Sequence, residues 1–140
     1  MCNDASTDNT VQLLEKWLKV FANVGLLMLI YQNTSNIPKG VGYARNMAIS
    51  KSSGKYLCFQ DVDDIMLPDR ILRQYSTAVT LIDNVIIGSR FKRLPENSTE
   101  RYAKWANNLN KEQLKTQIYT SHGPTIIMPT WFMHRKVFDR

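Results

Sequence analysis

The chain has 140 residues, of which 44% are hydrophobic and 21% are charged, and this is the composition of an ordinary soluble globular domain. That length allows at most one domain with a substantial core, and no apolar run is long enough to span a bilayer. Met1 is followed by polar residues, so we predict no signal peptide and expect a cytoplasmic location. The net charge of +6 favours an anionic partner, such as a phosphate compound or a nucleic acid.

The chain begins with a polar loop, residues 2–10, whose small side chains are typical of turns and helix starts. We interpret it as a ligand-binding loop that opens a helix, with Asp8 or Thr10 as the N-cap. The helix is predicted from an apolar stripe at helical spacing, which consists of Val11, Leu14, Trp17, Leu18 and Phe21. Gly25 ends this helix, and residues 26–31 form a predicted strand.

A second polar loop, residues 32–40, leads into a helix that begins around Gly40-Val41-Gly42. Glycines at a helix start let backbone N–H groups approach a phosphate, and Lys39 and Arg45 add positive charge there. The alternative is a flexible loop with incidental basic residues. Beside an acidic metal site, this loop would supply half of a clamp for a nucleotide diphosphate.

The next predicted strand, residues 56–60, runs directly into Asp61-Val62-Asp63-Asp64. Its apolar residues predict burial on both faces of a parallel sheet, so the carboxylates would lie at its carboxyl end, where such sheets bind ligands. Three carboxylates in four residues repel one another, and a divalent metal such as Mn²⁺ or Mg²⁺ would relieve the repulsion. One carboxylate of an Asp-x-Asp pair can bind the metal while the other binds the sugar or base of a nucleotide. An acidic surface turn before Pro68 is the alternative.

Strands and helices alternate up to residue 89, which predicts an α/β fold with a wound, mainly parallel sheet flanked by helices. The helix after Pro68 is predicted to turn an apolar side inward, formed by Ile71, Leu72, Tyr75, Val79 and Ile82. A turn at Asp83-Asn84 and a strand over residues 85–89 follow.

Residues 90–115 contain seven Lys and Arg residues, with Tyr102 and Trp105 among them. Basic residues interleaved with aromatic ones can bind a nucleic-acid backbone and stack on bases. The helical spacing of the aromatic residues favours instead an amphipathic helix that buries them and leaves its lysines in solvent. His122 lies in a later polar loop, as a solvated side chain or as an acid or base at an acceptor site. Pro129 predicts an edge strand or a bulge.

Three segments resemble the family 2 glycosyltransferases, and they occur in the family's order. Residues 3–10 resemble its Asp-Asp-x-Ser-x-Asp-x-Thr loop, residues 40–46 its Gly-x-x-x-Ala-Arg-Asn helix start, and residues 54–64 its Gly-x-Tyr strand that ends in Asp-x-Asp. The resemblance implies a GT-A (Rossmann-like) fold and an inverting transfer from a UDP-sugar donor. It also implies a divalent metal, manganese or magnesium, as cofactor.

The resemblance assigns nucleotide-sugar-binding roles to six residues, and five of them lie within residues 3–46. It implies that Asp4 binds the uracil and that Asp8 supports the loop around it. Asn3 stands where the family usually has Asp, and its amide can still hydrogen-bond the base. Arg45 and Asn46 are implied to lie near the ribose and the diphosphate.

The resemblance further implies that Asp61 contacts the ribose or the sugar and that Asp63 binds the metal. Residues 3–89 would form the nucleotide-sugar-binding half, and residues 90–140 would begin the acceptor half. The family's first strand and the acidic segment that supplies its catalytic base are expected outside these 140 residues. The fold is therefore expected to be incomplete at both ends, and no catalytic base is assigned.

Further segments resemble the queuosine-tRNA galactosyltransferases of that family, and these segments are residues 39–44, 52–59, 97–102 and 123–132. This resemblance implies UDP-galactose as the donor and the queuosine of a tRNA as the acceptor. One alternative is a catalytically incomplete fragment that binds UDP or RNA without turnover. Another is a phosphatase of the haloacid-dehalogenase type, because residues 56–63 also resemble the nucleophile loop of that class.

Overall fold

The computed structural model describes residues 1–81, 85–121 and 123–139. Three of the sequence predictions, for Ile82, the turn at Asp83-Asn84 and His122, lie outside the described residues. The chain divides into two compact units, Met1–Ser53 and Gly54–Arg140. The functional division at residue 89 stays a prediction. In the described part of the chain no helix is both long and apolar enough to cross a membrane.

The first unit contains a two-stranded parallel sheet and two helices. Strand β1 (Cys2–Asn3) pairs with β2 (Tyr31–Gln32), with Cys2 opposite Tyr31. Helix α1 (Thr10–Asn23) follows β1, and α2 (Val41–Ser50) follows β2. The sequence does not predict β1, because two residues carry no periodicity. The strand predicted over residues 26–31 is wrong in its bounds, since the paired residues lie at its end.

Helix α1 buries most of its predicted apolar stripe. Leu14 is buried, and Val11, Leu18 and Phe21 are half-buried, so these four residues form one continuous face. Trp17 is 47% exposed and lies at the edge of that face, with its ring centroid 5.8 Å from that of Phe21. The helical spacing therefore identifies the buried face correctly, with Trp17 as its solvent-exposed border.

The second unit contains a three-stranded sheet, whose strands are β3 (Tyr56–Cys58), β4 (Ile86–Ile87) and β5 (Phe132–His134). The strand order is β3-β5-β4, and β5 is antiparallel to both neighbours, so β3 and β4 run in the same direction. The helices of this unit are α3 (Arg70–Thr80), α4 (Glu100–Asn108), α5 (Lys111–Thr120) and α6 (Arg135–Phe138).

The α/β class, the alternation of strands with helices and a short parallel sheet are confirmed. The second sheet is antiparallel because its central strand, β5, comes from beyond the alternating segment. The prediction that β3 is buried on both faces is wrong. Leu57 and Phe59 are buried, whereas Cys58 between them is exposed, as expected for a strand covered on one face.

The core of the second unit surrounds β5. Phe132 and Met133 are only 2% and 3% exposed, and the ring of Tyr56 stacks on that of Phe132 at a centroid distance of 5.4 Å. Pro129 lies in the 3₁₀ turn Met128–Thr130, just before β5. The prediction of an edge strand or bulge at this proline is wrong, because a proline is tolerated at the start of a helical turn and β5 itself is central.

Helix α3 presents polar residues to the sheet, and its predicted apolar side is wrong. Gln74 is 4% exposed, and its side-chain amide donates to the carbonyls of Ile87 at 3.1 Å and Thr130 at 2.8 Å. Arg70 and Ala78, one turn away on either side, are half-buried. The residues predicted to face inward are instead exposed, and these are Ile71, Leu72, Tyr75 and Val79. The inner position of α3 is thus occupied by an amide that hydrogen-bonds backbone carbonyls of β4 and of the turn before β5.

The basic segment after β4 confirms the amphipathic-helix interpretation for its aromatic residues. The ring centroids of Tyr102 and Trp105 in α4 lie 5.8 Å apart, and both residues are half-buried. The Tyr102 hydroxyl donates to the carbonyl of Pro124 at 2.8 Å, and the Trp105 indole N–H donates to the Gln117 side chain at 3.1 Å. Both rings therefore pack within the second unit.

Gly88, which follows β4, is expected to be intolerant of a side chain. A Cβ atom there would overlap Cγ2 of Ile126, so Gly88→Ala must displace packed atoms. We expect a loss of roughly 1–3 kcal/mol in the free energy of unfolding, measured with urea. Gly88→Ala combined with Ile126→Ala should lose less than the sum of the single changes, because the second change removes the clashing methyl group. Additive losses would contradict this close contact.

Candidate functional site

A polar cleft of about 350 Å³ opens in the first unit. It is lined by Asn3, Ala5, Ser6, Thr7, Val11, Gln32, Asn33, Ser35 and Asn36. The loop after β1 and the loop after β2 both contribute, because parallel strands deliver their following loops to the same edge of a sheet. Seven of these nine residues carry an amide or hydroxyl side chain, so the cleft can hydrogen-bond a polar ligand.

Asn3 forms a buried part of this cleft. Its side chain is 5% exposed, and its amide nitrogen donates to the Gln32 side-chain oxygen at 2.6 Å. Its side-chain oxygen accepts from the backbone N–H of Ser6 at 3.2 Å and from the Ser6 hydroxyl at 2.6 Å. These bonds shape the turn that contains Ala5, whose φ of 63° lies in the left-handed region. Asn3 thus fixes the loop as well as lining the cleft.

Asp4 joins the two loops of the first unit. Its Oδ1 accepts from the Asn33 side-chain amide at 2.7 Å, and its Oδ2 accepts from the backbone N–H groups of Lys39 at 2.8 Å and Gly40 at 2.7 Å. Gly40 has a φ of 91°, which favours glycine at this position. The carboxylate therefore holds the start of α2 in place.

The same contacts set the protonation of Asp4. Desolvation raises the pKa of this carboxyl, but it is outweighed by the hydrogen bonds from Gly40, Asn33 and Lys39 together with the Lys39 charge. The net result is a pKa below the ordinary value. Asp4 is consequently ionised at neutral pH.

Asp8 lies exposed at the start of α1. Its Oδ1 accepts from the hydroxyl and, at 3.0 Å, from the backbone N–H of Thr10, and these two bonds lower the pKa of the Asp8 carboxyl. The N-cap position belongs to Asn9 and not to either predicted residue, although Asp8 supplies the acceptor that a capping side chain would provide. Asp8 supports the first turn of the helix.

Helix α2 begins with Gly40 at its N-cap, as the glycine pattern indicates. Lys39 Nζ lies 4.6 Å from the centroid of the Tyr43 ring, so its charge is held beside this helix start. Arg45 is half-buried and Asn46 is exposed, both within the helix. Backbone N–H groups and a cation at a helix start make an arrangement that can bind a phosphate.

The acidic residues of the second unit form a turn directly after the segment that includes β3. The backbone N–H of Asp64 donates to the Asp61 carbonyl at 3.2 Å, which closes the turn. The side-chain amide of Gln60 donates to the carbonyls of Asp61 at 3.0 Å and Asp64 at 2.9 Å. Asp63 and Asp64 are exposed and Asp61 is half-buried. This turn presents carboxylates to solvent from a fixed backbone.

Within the described ranges, no group of three or more His, Cys, Asp or Glu side chains is arranged to hold a metal by itself. Mg²⁺ and Mn²⁺ are commonly bound by one or two carboxylates together with phosphate oxygens of a substrate. The oxygen donors of Asp61 and Asp63 fit this kind of partial site, in which the ligand completes the coordination.

Two residues that sequence reasoning missed support this turn, Gln60 and Arg70. The Arg70 guanidinium donates to the Phe59 carbonyl at 2.7 Å, to the Gln60 side-chain oxygen at 2.8 Å and to the Gln74 side-chain oxygen at 3.1 Å. The available signal was the polar pair Arg70 and Gln74, spaced four residues apart on one face of α3. The apolar residues beside this pair led to the prediction that the opposite side of α3 is buried.

Asp4 is expected to titrate below its ordinary pKa of 3.8. Because the folded-state pKa is lowered, the stability that the carboxylate contributes is present above the unfolded-state pKa and is lost as pH falls through the folded-state value. NMR should show the Asp4 carboxyl carbon and the amide protons of Lys39 and Gly40 changing together with pH. The amide changes should vanish in Asp4→Asn, and a midpoint at or above the ordinary pKa would contradict the bonding described.

The chain is similar in sequence to several glycosyltransferases. The uncharacterized glycosyltransferase YibD of Escherichia coli K12 is 34% identical over 79 residues, which cover 56% of this chain and 20% of YibD. The poly(ribitol-phosphate) beta-glucosyltransferase of Bacillus spizizenii is 30% identical over 86 residues, 61% of this chain and 13% of that protein. WfgD of Escherichia coli, a UDP-Glc:alpha-D-GlcNAc-diphosphoundecaprenol beta-1,3-glucosyltransferase, is 34% identical over 77 residues, 54% of this chain and 27% of WfgD.

The aligned part of the chain thus spans less than a third of each of these relatives. No solved structure gives a significant match. The pattern of glycosyl transferase family 2, in contrast, matches residues 1–140. This chain belongs to glycosyl transferase family 2.

Proposed function

We propose that this chain takes part in the transfer of a sugar, with inversion, from a metal-bound UDP-sugar to an acceptor hydroxyl. The observation that carries the proposal is the acidic turn Asp61–Asp64, which is held by Gln60 and presents exposed carboxylates. Family membership supports sugar transfer in general. It gives no support to the phosphatase alternative.

Asp63 is the proposed ligand of a manganese or magnesium ion, and Asp61 the proposed contact to the ribose or the sugar. The chemistry of the donors supports this division, because a hard cation prefers carboxylate and phosphate oxygens. A divalent cation bound there would neutralise charge on the departing diphosphate. The chain's own contribution is to hold the two carboxylates on one rigid turn. No residue is assigned as the base that accepts the proton of the acceptor hydroxyl.

The first unit is proposed to bind the nucleotide. A volume of about 350 Å³ lies within the range of small-ligand pockets, and its amide and hydroxyl lining suits a nucleobase or a ribose. Asn3 and Asp4 are the proposed contacts to the uracil, with Asp8 supporting their loop. Arg45 and Asn46, on the helix whose start Asp4 fixes, are proposed to lie near the ribose and the diphosphate.

UDP-galactose and the queuosine of a tRNA are the proposed donor and acceptor, on the sequence resemblance described above. The exposed cations of the segment over residues 90–115 support a polyanionic acceptor, and these are Arg90, Lys92, Arg93, Arg101, Lys104, Lys111 and Lys115. Tyr102 and Trp105 pack within the unit, so backbone phosphates and not stacked bases would be the groups bound. The relatives' names give other acceptors, so acceptor choice needs its own test.

Isothermal titration with UDP, with and without Mn²⁺, tests the donor site. Asp63→Ala should weaken Mn²⁺-dependent UDP binding by at least about tenfold, since even changes to outer-shell partners commonly cost that much. Asp69→Ala is the matched control. That carboxylate forms an exposed ion pair with Arg73, and loss of such a pair has little effect. Equal binding by Asp63→Ala and wild type would contradict the metal assignment.

Transfer is tested separately with radiolabelled donors. Label from UDP-galactose should enter tRNA that carries queuosine and not the same tRNA without it, and UDP-glucose should be a poorer donor. Label entering both tRNAs equally would contradict the proposed acceptor. Intact Mn²⁺-dependent UDP binding without any transfer would support the alternative of a binding fragment without turnover.

A further inference from the structure

The acidic turn is held by side chains that lie outside it. We infer that Gln60 and Arg70 are positioning residues for this turn and set the affinity of Asp61 and Asp63 for a divalent cation. The inference rests on the proposed function, because it concerns the same metal site. Its basis is a hydrogen-bond relay that runs from the sheet through Arg70 to Gln60 and then to the turn.

The relay has a fixed direction. A guanidinium group can only donate hydrogen bonds, so the Gln60 group that meets Arg70 at 2.8 Å must be its side-chain oxygen. The NH₂ group of Gln60 then faces the turn, where it donates to the carbonyls of Asp61 and Asp64. Arg70 thereby determines which way the Gln60 amide points. A reversed amide would place its oxygen against two carbonyl oxygens.

Arg70 is itself fixed by the sheet. It donates to the Phe59 carbonyl at 2.7 Å and to the Gln74 side-chain oxygen at 3.1 Å. The buried Gln74 amide then donates to carbonyls of Ile87 and Thr130, in β4 and just before β5. Because Arg70 can only donate, the Gln74 atom that it contacts must be the side-chain oxygen, and this fixes the orientation of the Gln74 amide. Through two glutamines and one arginine, the turn is linked to residues that lie in β4, directly after β3 and shortly before β5.

Neighbouring residues of α3 provide an internal control. Arg73 lies three residues from Arg70 and forms an ion pair with Asp69, with side chains that are 80% and 50% exposed. The hydrogen bond between its guanidinium and a carboxylate is confined to the helix surface. Arg73→Met therefore removes the same charge as Arg70→Met without touching the relay.

The test measures Mn²⁺ binding by electron paramagnetic resonance of free Mn²⁺ in the presence of UDP. Gln60→Met, which removes both donors and the acceptor at nearly constant size, should weaken Mn²⁺ binding about tenfold, the effect typical of an outer-shell partner. Arg70→Met should do the same, Arg70→Lys should recover part of the loss, and Arg73→Met should stay within about twofold of wild type. Melting temperatures identify any variant that fails to fold.

A Gln60→Met protein with an unchanged melting temperature and weakened Mn²⁺ binding supports positioning, whereas wild-type affinity in that variant overturns it. A metal-free measurement separates this inference from the proposed function. NMR order parameters for residues 61–64 should fall from the rigid range near about 0.85 toward about 0.6 in Gln60→Met. If the wild-type protein binds no Mn²⁺, the metal assignment fails. Unchanged order parameters in Gln60→Met would overturn the positioning role of Gln60, whatever the result for Mn²⁺.

Discussion

Restraint of the acidic turn Asp61–Asp64 is the constraint on which the proposed cation site depends. A turn that carries three carboxylates in four residues would spread in water unless other groups hold its backbone. Gln60 supplies that restraint through two hydrogen bonds to the turn's carbonyls, and it does so without neutralising any carboxylate. The carboxylates of Asp63 and Asp64 stay exposed to solvent while these bonds restrain the backbone. Such preorganisation is what an ion-binding site requires, because a flexible turn would lose entropy at each binding event.

In the first unit a loop is also restrained by hydrogen bonds, but the roles of carboxylate and backbone are reversed. Here the carboxylate is the restraint, and the restrained groups are backbone N–H donors at the start of α2. Desolvation raises the pKa of Asp4, but three hydrogen bonds and the Lys39 charge outweigh it, so the carboxylate stays ionised below the pH at which an ordinary aspartate protonates. An asparagine here would have only one acceptor oxygen, so its NH₂ group would face either the Asn33 amide or the two backbone N–H groups. The glycine at the junction permits the positive φ that brings both N–H groups to one oxygen.

Several local features of the fold follow from the sequence, whereas the long-range strand pairing does not. The stripe through Leu14 predicts the buried face of α1, because helical spacing is a property of neighbouring residues. The motif residues predict that polar loops follow β1 and β2 and that an acidic turn ends the segment after β3. Strand β5 lies between β3 and β4 in the sheet, although it follows β4 by more than 40 residues in the chain. No short sequence pattern predicts that pairing. The antiparallel second sheet and the one-sided burial of β3 therefore could not be read in advance.

The inner face of α3 shows why the apolar residues of a helix are not always the buried ones. An apolar residue in place of Gln74 would bury more hydrocarbon, but it would leave the carbonyls of Ile87 and Thr130 without this donor. A buried unsatisfied carbonyl costs about 1–3 kcal/mol, which is comparable to the gain from burying one aliphatic side chain. Hydrogen bonds to two carbonyls favour the amide at this position. Once glutamine occupies the inner position, its oxygen needs a donor, and Arg70 meets that need while reaching Gln60. The satisfaction of sheet carbonyls and the rigidity of the acidic turn are consequently parts of one hydrogen-bond system.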